Sequence, residues 1–299
     1  MLVDGKWVAN WQPVQKADEK GRFVRQVSSF RNWITADGSA GPTGEGGFKA
    51  EAGRYRLYVA LICPWASRTL IGRALKGLEA LVPVTVVNPV LTDQGWAFGG
   101  YPGADADALF GASYMHEIYT RADPHFTGRA TVPVLWDMQR GMMVSNESAD
   151  ILRMFDTAFE ALAPSDLRLY PADLAQQIDA LNPRIYDGLN NGVYKAGFAG
   201  TQAAYDEAVE GVFATLDELE ARLTGSYLLG DRLTETDIRT FVTLVRFDAA
   251  YHGIFKVNRR QLADYPRLSA YMERILRLPG VAKTVNLDHI KAGYYSIKA

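Results

Sequence analysis

Arg56-Leu57-Tyr58-Val59-Ala60-Leu61-Ile62-Cys63-Pro64-Trp65-Ala66 is the stretch on which the fold turns. Its aromatic and β-branched residues predict a strand over 55–62. Proline suits the first position of a helix, because it has no amide to leave unpaired and its φ is already helical. Cys63 therefore falls at a strand-to-helix joint, where the unpaired amides of the first turn carry partial positive charge. Such amides favour thiolate over thiol, so the sequence predicts a lowered pKa for Cys63. No other cysteine occurs in the 299 residues.

Outward from the joint, residues 64–77 read as a helix and 82–88 as a second strand, which makes a βαβ unit. After a long excursion over 90–128 come strands at 132–137 and 141–144 and a helix at 147–159, a ββα unit. This is the thioredoxin order. In that fold a proline after a cis peptide faces the active cysteine, and Thr131-Val132-Pro133-Val134-Leu135 predicts that Pro133 is that residue. From about residue 173 the pattern is helical throughout. Val209, Val212, Phe213, Leu216, Leu219 and Leu223 recur at three- and four-residue steps, giving one apolar face. Thr234, with Asp237 three residues on, predicts a capped helix start. The organisation expected is a loop-rich extension over 1–52, a thioredoxin-like α/β domain over 53–160 and an all-α domain over 173–299. The glycine-rich stretch 38–47 lacks the Gly-Lys-Ser/Thr ending of a phosphate loop and reads as a surface arm.

Composition narrows the partners. With 32 basic and 34 acidic residues the net charge is −2, and no stripe of Lys or Arg forms, which argues against nucleic acid and anionic membranes. No apolar stretch approaches the ~20 residues needed to span a bilayer. Met1-Leu2-Val3-Asp4-Gly5-Lys6-Trp7 has no signal pattern, so a cytoplasmic location is expected. His116, His125, His252 and His289 show no metal-ligand spacing, and no nucleophile-elbow pattern is present. A lone thiol cannot close an internal disulfide. After attacking a sulfur it must be resolved by an external thiol.

Several local sequences are more specific than this layout. They are Gly44-Glu45-Gly46-Gly47-Phe48, Gly53-Arg54-Tyr55, Cys63-Pro64-Trp65-Ala66, Val144-Ser145-Asn146-Glu147-Ser148, the run from Asn190 to Ala199 and Leu244-Val245-Arg246-Phe247-Asp248-Ala249. In order and spacing, from about residue 4 to 295, they resemble the glutathionyl-hydroquinone reductases, the Xi class of glutathione transferases. The resemblance implies an α/β thioredoxin-like N-terminal domain followed by an all-α glutathione-transferase C-terminal domain. It also implies glutathione as co-substrate, S-glutathionyl hydroquinones as substrates, no metal, and a homodimer. Cys63 would attack the glutathione sulfur, the hydroquinone carbon would leave and be protonated, and a second glutathione would release Cys63.

By the same resemblance Trp96 lies against the tripeptide and Arg129 meets a glutathione carboxylate. The Val132 backbone before Pro133 pairs with the cysteinyl backbone, a strand-like addition. Glu147 and Ser148 hold the γ-glutamyl end at a helix N-terminus. Tyr194 corresponds to the proton donor, and Tyr251 and Tyr294 to hydroxyls that stabilise the Cys63 thiolate. Thiolate fraction alone would not suffice. Lowering a cysteine pKa from about 8.5 to about 6 raises the thiolate roughly thirtyfold at neutral pH, while a Brønsted slope near 0.45 takes back roughly thirteenfold. Most of the acceleration must come from alignment and from protonating the leaving carbon.

The chain departs from the family pattern in three places. Ser67 and Gly293 stand where histidines are expected, and the sequence ends at Ala299 where family members continue, which loosens the expectation for the aromatic pocket and the dimer. Three other functions use the same residues differently. An Omega-like thiol transferase or dehydroascorbate reductase would act on disulfides. A related enzyme would cleave aryl ethers or halides, and a non-catalytic binding module would carry an unreactive Cys63.

Overall fold

The computed structural model describes residues 1–9 and 17–297; Ala299 lies outside the described residues. A short antiparallel hairpin, β1 (Leu2–Val3) and β2 (Lys6–Trp7), opens the chain. β3 (Tyr55–Val59), α1 (Pro64–Leu75) and β4 (Val84–Val86) then form the βαβ unit, with β3 and β4 parallel. β5 (Val134–Asp137) and β6 (Met142–Ser145) follow, each antiparallel to its neighbour, and α3 (Ser148–Thr157) closes the ββα unit. The sheet order is β4-β3-β5-β6. β3 is paired on both sides, and Tyr55, Leu57, Tyr58 and Val59 are all buried, which accounts for the near-continuous apolar run in its sequence.

The elements are one to three residues shorter at most ends than the sequence pattern predicts. The excursion 90–128 is not all loop: α2 (Met115–Ala122) lies within it, started by Glu117, whose carboxylate accepts from the Ser113 and Tyr114 amides. The Val132–Pro133 peptide is cis, as expected.

The second half is helical. α4 (Ala175–Ile185), α5 (Gly192–Gly197), α6 (Gln202–Arg222), α7 (Glu235–Arg246), α8 (His252–Ile254), α9 (Pro266–Leu276) and α10 (Leu287–Ile297) pack around an apolar centre. The predicted face of α6 is the buried one: Val212, Phe213, Leu216 and Leu219 are sealed from solvent. At the start of α7, the Asp237 carboxylate accepts from the amide and hydroxyl of Thr234, as the spacing predicts. Two π-helical turns, Tyr186–Asn190 and Phe247–Tyr251, interrupt the helices beside residues of the site described below.

The stretch before residue 53 carries more of the core than its polar composition suggests, for Leu2, Phe23, Ile34, Phe48 and Ala50 are buried. Residues 30–32 run antiparallel along β6: the Asn32 amide donates to the Val144 carbonyl at 2.9 Å and the Asn146 amide to that of Phe30 at 3.2 Å. The open edge of the sheet is thereby covered. The same pairing carries residues 25–28 over the end of the sheet that holds Cys63. The glycine-rich stretch 38–47 is mostly exposed, as expected of a surface arm.

Gly293 explains one departure from the family pattern. A Cβ there would sit 2.3 Å from Ile62 Cδ1 and 2.6 Å from the Pro89 carbonyl oxygen, so α10 presses directly on the loop before Cys63. A histidine has no room in this packing. Gly293→Ala is expected to destabilise the fold by about 1–3 kcal/mol through overpacking. Urea unfolding measures this; an unchanged midpoint would mean that α10 moves outward without cost.

Candidate functional site

Cys63 is the N-cap residue of α1, in extended conformation, with Pro64 at the first helical position. It is partly buried on the wall of a cavity of about 150 Å³ that is also lined by Trp65, Trp96, Arg129, Val132, Tyr194 and Tyr294. A second cavity of about 220 Å³ shares Arg25, Trp65, Thr131 and Val132 with the first and extends over Pro133, Glu147 and Ser148. Of the ten candidate residues read from the sequence, nine therefore line these two joined cavities. The tenth, Tyr251, is buried behind the wall, where its hydroxyl lies 2.9 Å from that of Tyr294. Tyr294 in turn lies 2.5 Å from the Tyr194 hydroxyl. The three phenols form one chain, which can run from Tyr251 through Tyr294 to Tyr194 and leave the last proton for the cavity. Burial, then the neighbouring tyrosines, push Tyr194 and Tyr294 well above the ordinary phenol range, and burial raises Tyr251.

The thiol does not behave as the sequence predicts. Burial pushes the Cys63 pKa up and outweighs the Ala66 and Trp65 amides and the Arg246 and Arg25 charges, all of which pull it down. The helix start was legible, but the wall that buries it was not. Consistent with a neutral thiol, Cys63 Sγ donates to the Val132 carbonyl oxygen at 3.5 Å.

Arg246, at the end of α7, fixes the loop before Cys63. It is fully buried, and its guanidinium donates to the carbonyls of Ile62 at 2.8 Å, Leu61 at 2.9 Å and Val242 at 2.8 Å. The fourth acceptor is the Ser67 hydroxyl at 2.6 Å. Ser67 thus supplies an uncharged acceptor to a buried cation, so its effect on the sulfur runs through Arg246. A cation held among neutral acceptors keeps its field for nearby groups, Cys63 among them.

At the far end of the joined cavities, Glu147 is the N-cap of α3. Its carboxylate accepts from the Ala149 amide at 3.1 Å and from the Ser28 hydroxyl at 2.9 Å. Ser148 is buried at the first position of the helix. Helix N-termini of this kind attract anions.

Arg25, which lies in the extension, is a residue of the site that sequence reasoning missed. Its guanidinium sits 4.6 Å from the Trp65 ring and 4.7 Å from that of Tyr194, and its Nε donates to Asn191 at 2.8 Å. It lines both cavities. No periodicity or motif marks it; the pairing of residues 30–32 with β6 on one side, and the contacts of Lys20, Gly21 and Arg22 with Thr201, Gly200 and Glu207 on the other, deliver it there. Among the described residues, no group of three or more His, Cys, Asp or Glu is placed to hold a metal, and no helix is long and apolar enough to cross a membrane.

Two family models match the chain: the glutathione S-transferase N-terminal domain over residues 62–158 and the glutathione S-transferase C-terminal domain over 202–274. The chain is 52% identical over 296 residues to the glutathionyl-hydroquinone reductase YqjG of Escherichia coli K12, covering 98% of this chain and 90% of that protein. The glutathione-bound structure of YqjG superposes with a TM-score of 0.91 at 50% identity, covering 99% of this chain and 90% of that one. Identity to the glutathionyl-hydroquinone reductase PcpF of Sphingobium chlorophenolicum is 47%, over 99% and 91% of the two chains. The Xi glutathione S-transferase of Phanerochaete chrysosporium superposes with a TM-score of 0.87 at 48% identity, over 91% and 92%.

Proposed function

The chain belongs to the glutathionyl-hydroquinone reductases, the Xi class of the glutathione S-transferase family, and on that premise we propose that it reduces S-glutathionyl hydroquinones to hydroquinones with glutathione. The observation that carries the reading is one cavity lined by a sulfur and the end of a phenol chain: Cys63, Tyr194 and Tyr294 line it, Tyr194 and Tyr294 are linked at 2.5 Å, and Tyr251 backs Tyr294 at 2.9 Å from behind the wall.

In the proposed sequence the Cys63 thiolate attacks the sulfur of the aryl thioether. A Cys63–glutathione disulfide forms and the sulfur–carbon bond breaks. The electron pair stays on the ring carbon, which takes a proton from Tyr194. A second glutathione, as thiolate, attacks the mixed disulfide and leaves as oxidised glutathione, restoring Cys63. Tyr194 suits the acid role because its raised pKa keeps the proton on the phenol until a strongly basic carbon forms. Tyr294 and Tyr251 would replenish and orient that proton, and could solvate the thiolate when it forms.

Glutathione would lie across both cavities. Its cysteinyl backbone would pair with Val132 beside Pro133, its γ-glutamyl group would reach Glu147 and Ser148, and Trp96 and Arg129 would flank the rest. Alignment supplies what the thiol's raised pKa withholds. A lone thiol that cycles through glutathione needs a reducing compartment, which supports the cytoplasm.

The test is turnover of S-glutathionyl-1,4-hydroquinone with excess glutathione, beside turnover of a small glutathione mixed disulfide. Faster release from the thioether is the expected result. Activity on the disulfide alone would move the protein to the Omega-like thiol transferases, and activity on neither would leave a binding module.

A further inference from the structure

Arg68 in α1 is 1% exposed, yet no carboxylate pairs with it among the described residues. Its Nη2 donates to Asn190 Oδ1 at 2.6 Å, at the end of the first π-helical turn, and its guanidinium lies 4.5 Å from the Trp65 ring. Its Nε is buried with no hydrogen-bond partner. Burial and the nearby Arg239 lower its pKa to about 9, with Glu147 pulling the other way. A buried cation left this short of partners costs stability, and an apolar side chain of similar volume would serve the core as well or better.

The remaining contact is to a residue that lines the second cavity. Nη1 points at the Ser148 hydroxyl oxygen, 3.5 Å away. An N–H directed at that oxygen occupies one of its lone pairs and leaves the hydroxyl proton on the cavity side, where it is donated to Glu147 Oε1 at 3.5 Å. Ser148 lines the second cavity together with Ser28 and Glu147, and Arg68 lies behind it. A guanidinium behind the hydroxyl polarises it toward an acceptor in front, and the amides at the start of α3 favour the same negative charge.

We propose that Arg68 is a positioning residue for the γ-glutamyl carboxylate of glutathione, acting through the Ser148 hydroxyl. The role rests on the glutathione reading above and adds to it the buried cation that the carboxylate neutralises. Arg68 touches no part of the ligand. Its charge and the direction it imposes on Ser148 do the work.

The experiment compares binding of glutathione with binding of γ-aminobutyryl-cysteinylglycine, which lacks only that carboxylate, by titration calorimetry on the full chain. Wild type is expected to prefer glutathione, and Arg68→Met to lose roughly tenfold or more of that preference while binding the analogue as wild type does. In a Ser148→Ala background, Arg68→Met is expected to cost no further preference, because the two act in series. Arg68→Lys keeps the charge without the fork and is expected to lose part of the preference, and it carries the comparison if the methionine variant does not fold. Equal weakening of both ligands, or an unchanged preference in either variant, would overturn the role of Arg68 alone. Wild type that binds neither ligand would overturn it together with the glutathione reading.

Discussion

Replacing Cys63 with alanine is expected to lower kcat for S-glutathionyl hydroquinone by roughly a thousandfold or more, while glutathione binds within a few-fold of wild type. The two halves of this result separate chemistry from binding. Cys63 is the only thiol in the chain, so no neighbour can take over the attack on sulfur. Glutathione, by contrast, would be held by the Val132 backbone and by Glu147 and Ser148, none of which needs the cysteine side chain. Pre-steady-state kinetics adds a second reading: wild type should release one equivalent of hydroquinone before the resolving glutathione is required, and Cys63→Ala none. Full turnover by Cys63→Ala would mean that bound glutathione attacks the thioether directly, and the mixed-disulfide route would be wrong.

Tyr194→Phe is the second large effect. It removes the phenol that closes the chain at the cavity and leaves the ring, which packs against Phe198 and Phe255. Carbon–sulfur cleavage needs a proton on a strongly basic leaving carbon, and a positioned acid is worth roughly 10²–10⁴-fold. Disulfide exchange has no such need, because a thiolate is a good leaving group at neutral pH. The expected outcome is therefore a loss of a hundredfold or more on the hydroquinone thioether and a change of only a few-fold on a mixed disulfide. Equal losses on both substrates would assign Tyr194 to packing.

How far the sequence reached differs between fold and site for a physical reason. A strand and a helix that meet at Cys63 write their boundary locally, in β-branched residues before Pro64 and a proline at the first helical position. Val132–Pro133 and the apolar face of α6 are equally local, and all were legible. Arg25 and Arg246 owe their places to long-range pairing: residues 30–32 running along β6, and the end of α7 reaching Ile62 and Ser67. Neither position has a periodicity to detect. The direction of the Cys63 pKa failed for the same reason, since the helix amides are a local property and the burial that overrides them is not. Gly293 shows the converse, a residue visible as a departure but intelligible only once Ile62 and Pro89 are found against it.

The hydrogen bond from Cys63 to the Val132 carbonyl has a chemical consequence beyond turnover. Hydroquinones oxidise readily to quinones, and quinones arylate thiolates irreversibly. A cysteine that stood permanently ionised beside such products would be poisoned by them, and peroxide, which also seeks the thiolate, would add to the damage. Here burial favours the protonated sulfur, and the carbonyl that accepts from it is the one that an incoming glutathione backbone would claim. The substrate itself would then release the nucleophile, so reactivity appears only when the legitimate sulfur is already in place. On the proposed mechanism the arrangement would act as a safety catch, holding the sulfur unreactive toward redox-active phenols until glutathione arrives.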